Sequence, residues 1–187
     1  MAPQHAAQIE NIQRSIYPPS LHEATALILE RAAAFPAGSA VALDAAGAVL
    51  AYISAYPYPH AEALAAPPSL GRASAASIAR ALAAPAEACL FLHEVSVYNQ
   101  GAGLGTQLVR HVLAAARALG LRRCVLVSVL GNRAFYEKVF GFATLRELPE
   151  PYSCAEAARL EPAPPPLPPT PSYFCTDTAA HVMELAW

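Results

Sequence analysis

Between Cys89 and Leu130 the chain places four patterns in immediate succession. They are a run of β-compatible residues (Cys89–Val97), a glycine-rich turn (Asn99-Gln-Gly-Ala-Gly-Leu-Gly105), an apolar stripe at helical spacing (Leu104, Leu108, Val112, Ala115, Ala116, Leu119) closed by Gly120, and a nearly continuous apolar run, Arg123–Leu130. A helix between two strands implies a parallel crossover, and a strand apolar at nearly every position is one covered on both faces. This unit confines the chain to the α/β class. Gly101, Gly103 and Gly105 alternate where the helix begins, so consecutive N–H groups can turn toward one concavity at the positive end of a helix dipole, which suits a pyrophosphate. No Gly-Lys-Ser/Thr follows and the G-x-G-x-x-G spacing is absent, so neither a P-loop nor a dinucleotide fingerprint is present. Glycines alone fit a plain chain reversal equally well; their place between a strand and a long helix favours phosphate binding.

The flanking sequence adds helices before the unit and strands on both sides of it. Ala7, Ile9, Ile12 and Ile16 suit a short amphipathic helix over residues 4–16, stopped by Tyr17-Pro-Pro. Ser20 and Glu23 form a capping-box pattern ahead of a second helix carrying Leu21, Ala24, Leu27, Ile28 and Ala32 on one face as far as Pro36. Ala40–Leu43 and Val49–Ile53, joined by Asp44-Ala-Ala-Gly47, read as a β-hairpin. From Tyr56 to Ala88 the expectation is a long connection of the kind that carries binding loops, with a weak helix at 74–83. A short helix at Ala134–Val139, a strand at Phe142–Leu145 and a closing strand at His181–Trp187 complete the pattern, with no internal repeat.

At 187 residues the chain has room for one domain, 1–187, with a Pro-rich loop at 161–172 holding seven of its eighteen prolines. The hydrophobic fraction of 55% is driven by 43 alanines, and no apolar stretch is long enough to span a membrane. The start Met1-Ala-Pro-Gln-His lacks a secretory signal, so the expected location is cytoplasmic. With a net charge of −2 and 12 Lys+Arg, the electrostatic footprint of a nucleic-acid binder is missing. Cys89, Cys124, Cys154 and Cys175 are scattered without zinc-site spacing, and free thiols with no metal are expected.

Gln100-Gly-Ala-Gly-Leu-Gly105 resembles the Q/R-x-x-G-x-G/A acyl-CoA signature of the GNAT acetyltransferase superfamily, and Asn132-Arg-Ala-Phe-Tyr-Glu-Lys-Val-Phe-Gly-Phe142 resembles its F-Y-E-K-x-G-F segment. The two matches stand in the family order over Cys89–Phe142. Tyr17-Pro-Pro-Ser-Leu-His-Glu23, the hairpin and Leu92-His-Glu-Val-Ser-Val97 are similar to the arylalkylamine (serotonin) N-acetyltransferase branch. Only Tyr98-Asn99 separate the strand from Gln100, the second motif has one extra residue before Gly-Phe, and the chain opens in a helix where the family has a strand. The resemblance implies a mixed, partly antiparallel sheet flanked by helices and splayed at an acetyl-CoA site.

It also implies roles. Val95, Ser96 and Val97 would offer backbone groups to the pantetheine arm; Gly101, Ala102, Gly103, Leu104, Gly105 and Thr106 would hold the pyrophosphate. Asn132 would either bond the pantetheine amides or cap the following helix. Tyr136 aligns with the family tyrosine that protonates the departing thiolate, a task suited to a phenol that stays protonated at neutral pH. His93 stands where the branch carries a strand histidine and would relay the proton of the amine; the plainer reading is a hydrogen-bonded histidine in a half-buried strand. Glu94 is the rival base, and adjacent strand residues face opposite ways unless a bulge intervenes. Tyr56, Tyr58 and His60 are candidates for an aromatic substrate wall, or for packing on the core. Arg110, Arg117, Arg122 and Arg123 either attract CoA phosphates or are solvated.

The expected activity is transfer of acetyl from acetyl-CoA to a small primary amine of arylalkylamine or polyamine type, in a ternary complex of a monomer or weak dimer. The rivals are an acetyltransferase for protein lysines or N-termini, and a non-catalytic acyl-CoA-binding scaffold whose Pro162–Pro171 segment docks SH3-like partners.

Overall fold

The computed structural model describes residues 1–67, 73–98, 101–148 and 180–187. The Pro-rich loop, Cys154, Cys175, Asn99 and Gln100 lie outside them. In chain order the elements are α1 (Ala6–Ile16), α2 (Thr25–Ala34), β1 (Ser39–Leu43), β2 (Val49–Pro59), α3 (His60–Ala65), α4 (Ala75–Ala83), β3 (Ala88–Val97), α5 (Leu104–Ala118), β4 (Arg123–Ser128), α6 (Arg133–Phe140), β5 (Ala143–Leu148) and β6 (Ala180–Ala186). The strands form one mixed sheet in the order β1-β2-β3-β4-β6-β5, in which only β3 and β4 run parallel. The α/β reading and the crossover through α5 are therefore what the structure shows.

Local chemistry explains most boundaries. Asp44 closes the β1–β2 turn by accepting from the N–H groups of Ala46 and Ala48 at 2.9 and 2.8 Å. Ser74 caps α4 by accepting from Ser77 N–H. The helix after the Tyr17-Pro-Pro stop begins at Thr25, with Ala24 at its N-cap and no side-chain cap. The Ser20/Glu23 capping box is thus corrected: Glu23 lies ahead of the helix and its carboxylate is engaged elsewhere.

The long connection expected from Tyr56 is also revised. β2 extends through Pro59, so Tyr56 and Tyr58 are strand residues paired with Phe91 and Cys89. Prolines are tolerated there because β1 reaches only to Ser54, leaving residues 55–59 a strand neighbour on one side alone.

The buried apolar residues form two clusters. Ile9, Ile12, Ile28, Val49 and Tyr52 pack under α1 and α2, while the larger cluster includes Ile53, Val109, Val112 and Leu126 with α5. None of the described helices is long and apolar enough to cross a membrane.

Gly38 joins α2 to β1 at a point with no room. A Cβ there would stand 2.0 Å from the Ala55 carbonyl oxygen and 2.4 Å from the Phe35 ring. Gly38→Ala is expected to cost about 1–3 kcal/mol or more, read as a lower denaturation midpoint at unchanged slope; a midpoint equal to wild type contradicts this packing.

Candidate active site

β3 and β4 pair only from Leu90 to Leu92, opposite Cys124 to Leu126. Beyond that point β3 keeps its ladder with β2 alone, and the two parallel strands open a cleft whose empty space, with the solvent at its mouth included, is about 330 Å³. Its walls are Leu92–Val95 of β3, Val127–Val129 at the end of β4, Asn132 and Tyr136 of the α6 segment, and Tyr17 after α1.

The β2–β3 register shifts at the same place: Ser54 pairs with Glu94 and Ala55 with Leu92, so His93 is the extra residue of a β-bulge. The alternation rule fails locally in consequence. His93 meets Tyr56 and Glu23, Glu94 meets Tyr52, and both side chains lie on the α1/α2 face.

The two neighbours have different surroundings. Glu94 accepts from the Tyr52 hydroxyl and from Ser96 Oγ at 2.9 Å, and Ser96 also contacts the Tyr17 hydroxyl at 3.1 Å. Burial pushes its carboxyl above the ordinary carboxylate range, with the nearby charge of Glu23 acting in the same direction and the contacts from Tyr52, His93 and Ser96 opposing.

His93 has both ring nitrogens engaged, Nε2 with Glu23 Oε2 and Nδ1 with the Tyr56 hydroxyl, each at 3.1 Å. A carboxylate can only accept, so Nε2 carries the proton that it donates to Glu23. Glu23 itself is bracketed: Arg31 grips both carboxylate oxygens at 2.5 Å, and the Gln13 amide binds the Glu23 backbone N–H and C=O. Burial alone would raise the Glu23 pKa; His93 and Arg31 outweigh it and hold the group well below its usual range.

Across the cleft, Tyr136 projects from α6, which Gly141 terminates in the left-handed conformation at φ +79°. Its ring packs edge-on against Phe135 and Phe142, and burial raises the phenol pKa, with Cys124 contributing. Asn132 occupies the α6 N-cap position but donates to the Val129 carbonyl at 3.2 Å instead of capping. The preceding Leu130 has φ +55°, a rare conformation for a branched residue, beside the cleft end of β4.

The glycine turn leads into α5, whose start lies against Val95, one of the cleft walls. Gly103, at φ +71°, is the N-cap of α5 and aims the unpartnered N–H groups of its first turn outward. At Gly105 a Cβ would stand 3.4 Å from Val97 and 3.9 Å from Val95, so the helix start rests on β3 through a residue with no side chain.

Of the residues singled out from sequence, His93, Glu94, Val95, Asn132 and Tyr136 line the cleft, and Ser96 supports Glu94 from within. Tyr56 is buried behind His93, and Tyr58 packs on Tyr56 and Phe91. His60 is placed at the opposite end of the sheet, where its Nε2 meets Glu184 at 2.7 Å and its Nδ1 accepts from Arg123 at 2.8 Å. Arg117 stacks over Trp187. Cys89 and Cys124 are buried free thiols, and burial pushes Cys89 up to about 12. Among the described residues, no group of three or more His, Cys, Asp or Glu could hold a metal ion. Tyr17, Tyr52 and Glu23 are site residues the sequence did not mark as such; the available signal was Arg31, a charge on the apolar face three residues from Ile28.

The family model for the acetyltransferase (GNAT) family matches residues 6–142. The chain belongs to this family. Its structural neighbours include N-acetyltransferases. Naa20 of Chaetomium thermophilum, solved with a bisubstrate analogue, is 19% identical with a TM-score of 0.64, the alignment covering 100% of this chain and 84% of that one. The Drosophila melanogaster polyamine N-acetyltransferase is 15% identical at TM-score 0.61, covering 100% and 97%. A mosquito arylalkylamine N-acetyltransferase (like 5b) is 13% identical at TM-score 0.59, again covering 100% and 97%. No curated protein sequence matches the chain.

The Glu94 environment carries a signed consequence for the stability of this GNAT domain. A carboxyl whose folded pKa is raised leaves the native state holding more protons than the unfolded one, so its contribution is present at low pH and is lost as pH rises through the folded value. Glu94→Gln should therefore melt above wild type by a few degrees at alkaline pH, the gap shrinking toward pH 4. A gap independent of pH would contradict the assignment.

Proposed function

We propose that the protein transfers acetyl from acetyl-CoA to a small primary amine, directly and within a ternary complex. The observation that carries this reading is the opening between β3 and β4, which sets a carboxylate of raised proton affinity, Glu94, and a buried phenol, Tyr136, on the walls of one cleft beside the α5 N-terminus. Acetyl transfer needs these two groups: a base to neutralise the ammonium and an acid for the departing thiolate.

In this reading Glu94 takes the ammonium proton, directly or through one water; the freed amine attacks the thioester carbonyl carbon, and the C–S bond breaks as Tyr136 gives its proton to sulfur. Burial suits both partners, since it brings Glu94 toward neutral pH and keeps Tyr136 protonated there. Unpaired backbone groups of Val95, Ser96 and Val97 along the open edge of β3 would hold the pantetheine arm, and the N–H groups from Gly101 to Thr106 the pyrophosphate. Asn132, with its amide committed to Val129, serves chiefly to shape that wall.

Between the two candidate bases the contacts favour Glu94, because both nitrogens of His93 are already engaged. Tyr56 and Tyr58 act behind the site, and His60 is set apart from it. The small, partly aromatic cleft supports an amine of arylalkylamine or polyamine type, the acceptor classes in the names of the mosquito and Drosophila neighbours.

A CoA-thiol release assay over amines and peptides tests the reading. Release with amines supports it, release only with peptides points to a protein acetyltransferase, and acetyl-CoA binding without release to a scaffold. Tyr136→Phe should lower kcat by about 10²-fold or more with KM for acetyl-CoA little changed; unchanged turnover removes Tyr136 as the acid. Glu94→Gln should lose at least about 10²-fold in kcat/KM together with the acidic limb of the pH profile.

A further inference from the structure

Glu23 and Arg31 form an ion pair with side-chain exposures of 2% and 1%, beneath the floor of the cleft. A buried pair of this kind recovers its desolvation cost only with further hydrogen bonds, and by itself says little about stability. Here the further bonds all lead to one place. Arg31 Nε donates to the Ala73 carbonyl at 3.2 Å and its guanidinium lies 5.2 Å from the centre of the Tyr56 ring. Tyr56 in turn meets His93, and the second carboxylate oxygen of Glu23 meets the other side of the same imidazole. Two elements outside the sheet and one strand within it converge on the extra residue of the bulge.

A bulge leaves open which of two successive residues stands out of register, and a shift by one would exchange their places. Side-chain partners decide it. His93 has Glu23 and Tyr56, whereas Glu94 has Tyr52 and Ser96. We propose that Glu23 is a positioning residue for acetyl transfer: fixed by Arg31 and the Gln13 amide, it holds His93 in the outer position of the β3 bulge and so keeps the neighbouring Glu94 facing the cleft as the base. His93 is then a positioning residue as well. The inference rests on the reading of Glu94 as base in the proposed amine acetylation.

The groups facing Glu94 are Tyr52 from β2, Ser96 and His93 from β3, Tyr17 from the segment after α1, and Glu23 from the segment before α2, with Arg31 of α2 behind Glu23. Removing the Glu23 charge takes away a like charge and leaves Arg31 uncompensated; both changes lower the proton affinity of Glu94.

The experiment measures kcat, KM for acetyl-CoA and the pH dependence of kcat/KM with the best amine of the panel, for Glu23→Gln, Glu23→Asp and His93→Gln. Glu23→Gln should lower kcat about 10- to 100-fold, change KM for acetyl-CoA less than twofold, and move the acidic limb to lower pH. His93→Gln, which retains hydrogen-bonding ends, should lower kcat by a similar factor and retain the limb, moved to higher pH because His93 opposes the rise of the Glu94 pKa. Where Glu23→Gln is too unstable to assay, Glu23→Asp keeps the charge and the Arg31 partner but shortens the reach to His93, and should lower kcat with the limb unmoved.

A loss beyond about 10³-fold in His93→Gln with disappearance of the acidic limb would make His93 the base and overturn the proposal. So would wild-type kcat and pH profile in the Glu23 variants. A wild-type protein that releases no CoA thiol with any acceptor would instead overturn the proposed activity, a result distinguishable from either.

Discussion

One extra residue in β3 organises the rest of the molecule. A strand can put only alternate side chains on one face, and the bulge at His93 breaks that alternation so that two consecutive titratable residues share the α1/α2 side of the sheet. The ladder to β4 ends at Leu92, the residue before the bulge, and there the sheet opens. The opening of the sheet and the pairing of side chains on one face therefore fall at neighbouring residues of a single strand.

Keeping that irregularity in place requires partners on both sides. From below, Gln13, Glu23 and Arg31 bring α1, α2 and the segment between them onto His93. From the other face, α5 approaches β3 closely because Gly105 has no side chain to hold it away from Val97. The buried charges acquire opposite tendencies from these surroundings: Glu23, facing a guanidinium and an imidazole, stays ionised, while Glu94, buried away from water and near a second carboxylate, holds its proton more tightly despite its hydroxyl partners. Environments that push two carboxyl groups apart in this way are how one site separates a fixed charge from a proton acceptor.

The same contacts account for which sequence expectations moved. Tyr56 and Tyr58 read as loop residues because prolines follow each, but a strand whose outer edge is free loses no ladder bond to a proline imide. Glu23 read as a capping residue because Ser-x-x-Glu commonly is one; a nearby arginine on the apolar face of α2 drew the carboxylate inward instead. His60 read as a substrate contact from its place after the hairpin, whereas the extension of β2 carried it to the far end of the sheet, between Glu184 and Arg123.

The strand, glycine turn, helix, strand unit, the hairpin and the two motifs around Gly103 and Tyr136 were legible in the sequence, because each depends on local periodicity, on backbone freedom at glycine, or on residues adjacent in the chain. Tertiary structure alone decided that His93 and Glu94 share a face, that Glu23 binds the imidazole, and that Tyr17 closes the cleft wall. The last two relations join residues 70 or more positions apart through Glu23 Oε2 and the Tyr17 hydroxyl. Ladder register and buried charge pairing are properties of packed neighbours, and no local pattern in a single chain records them.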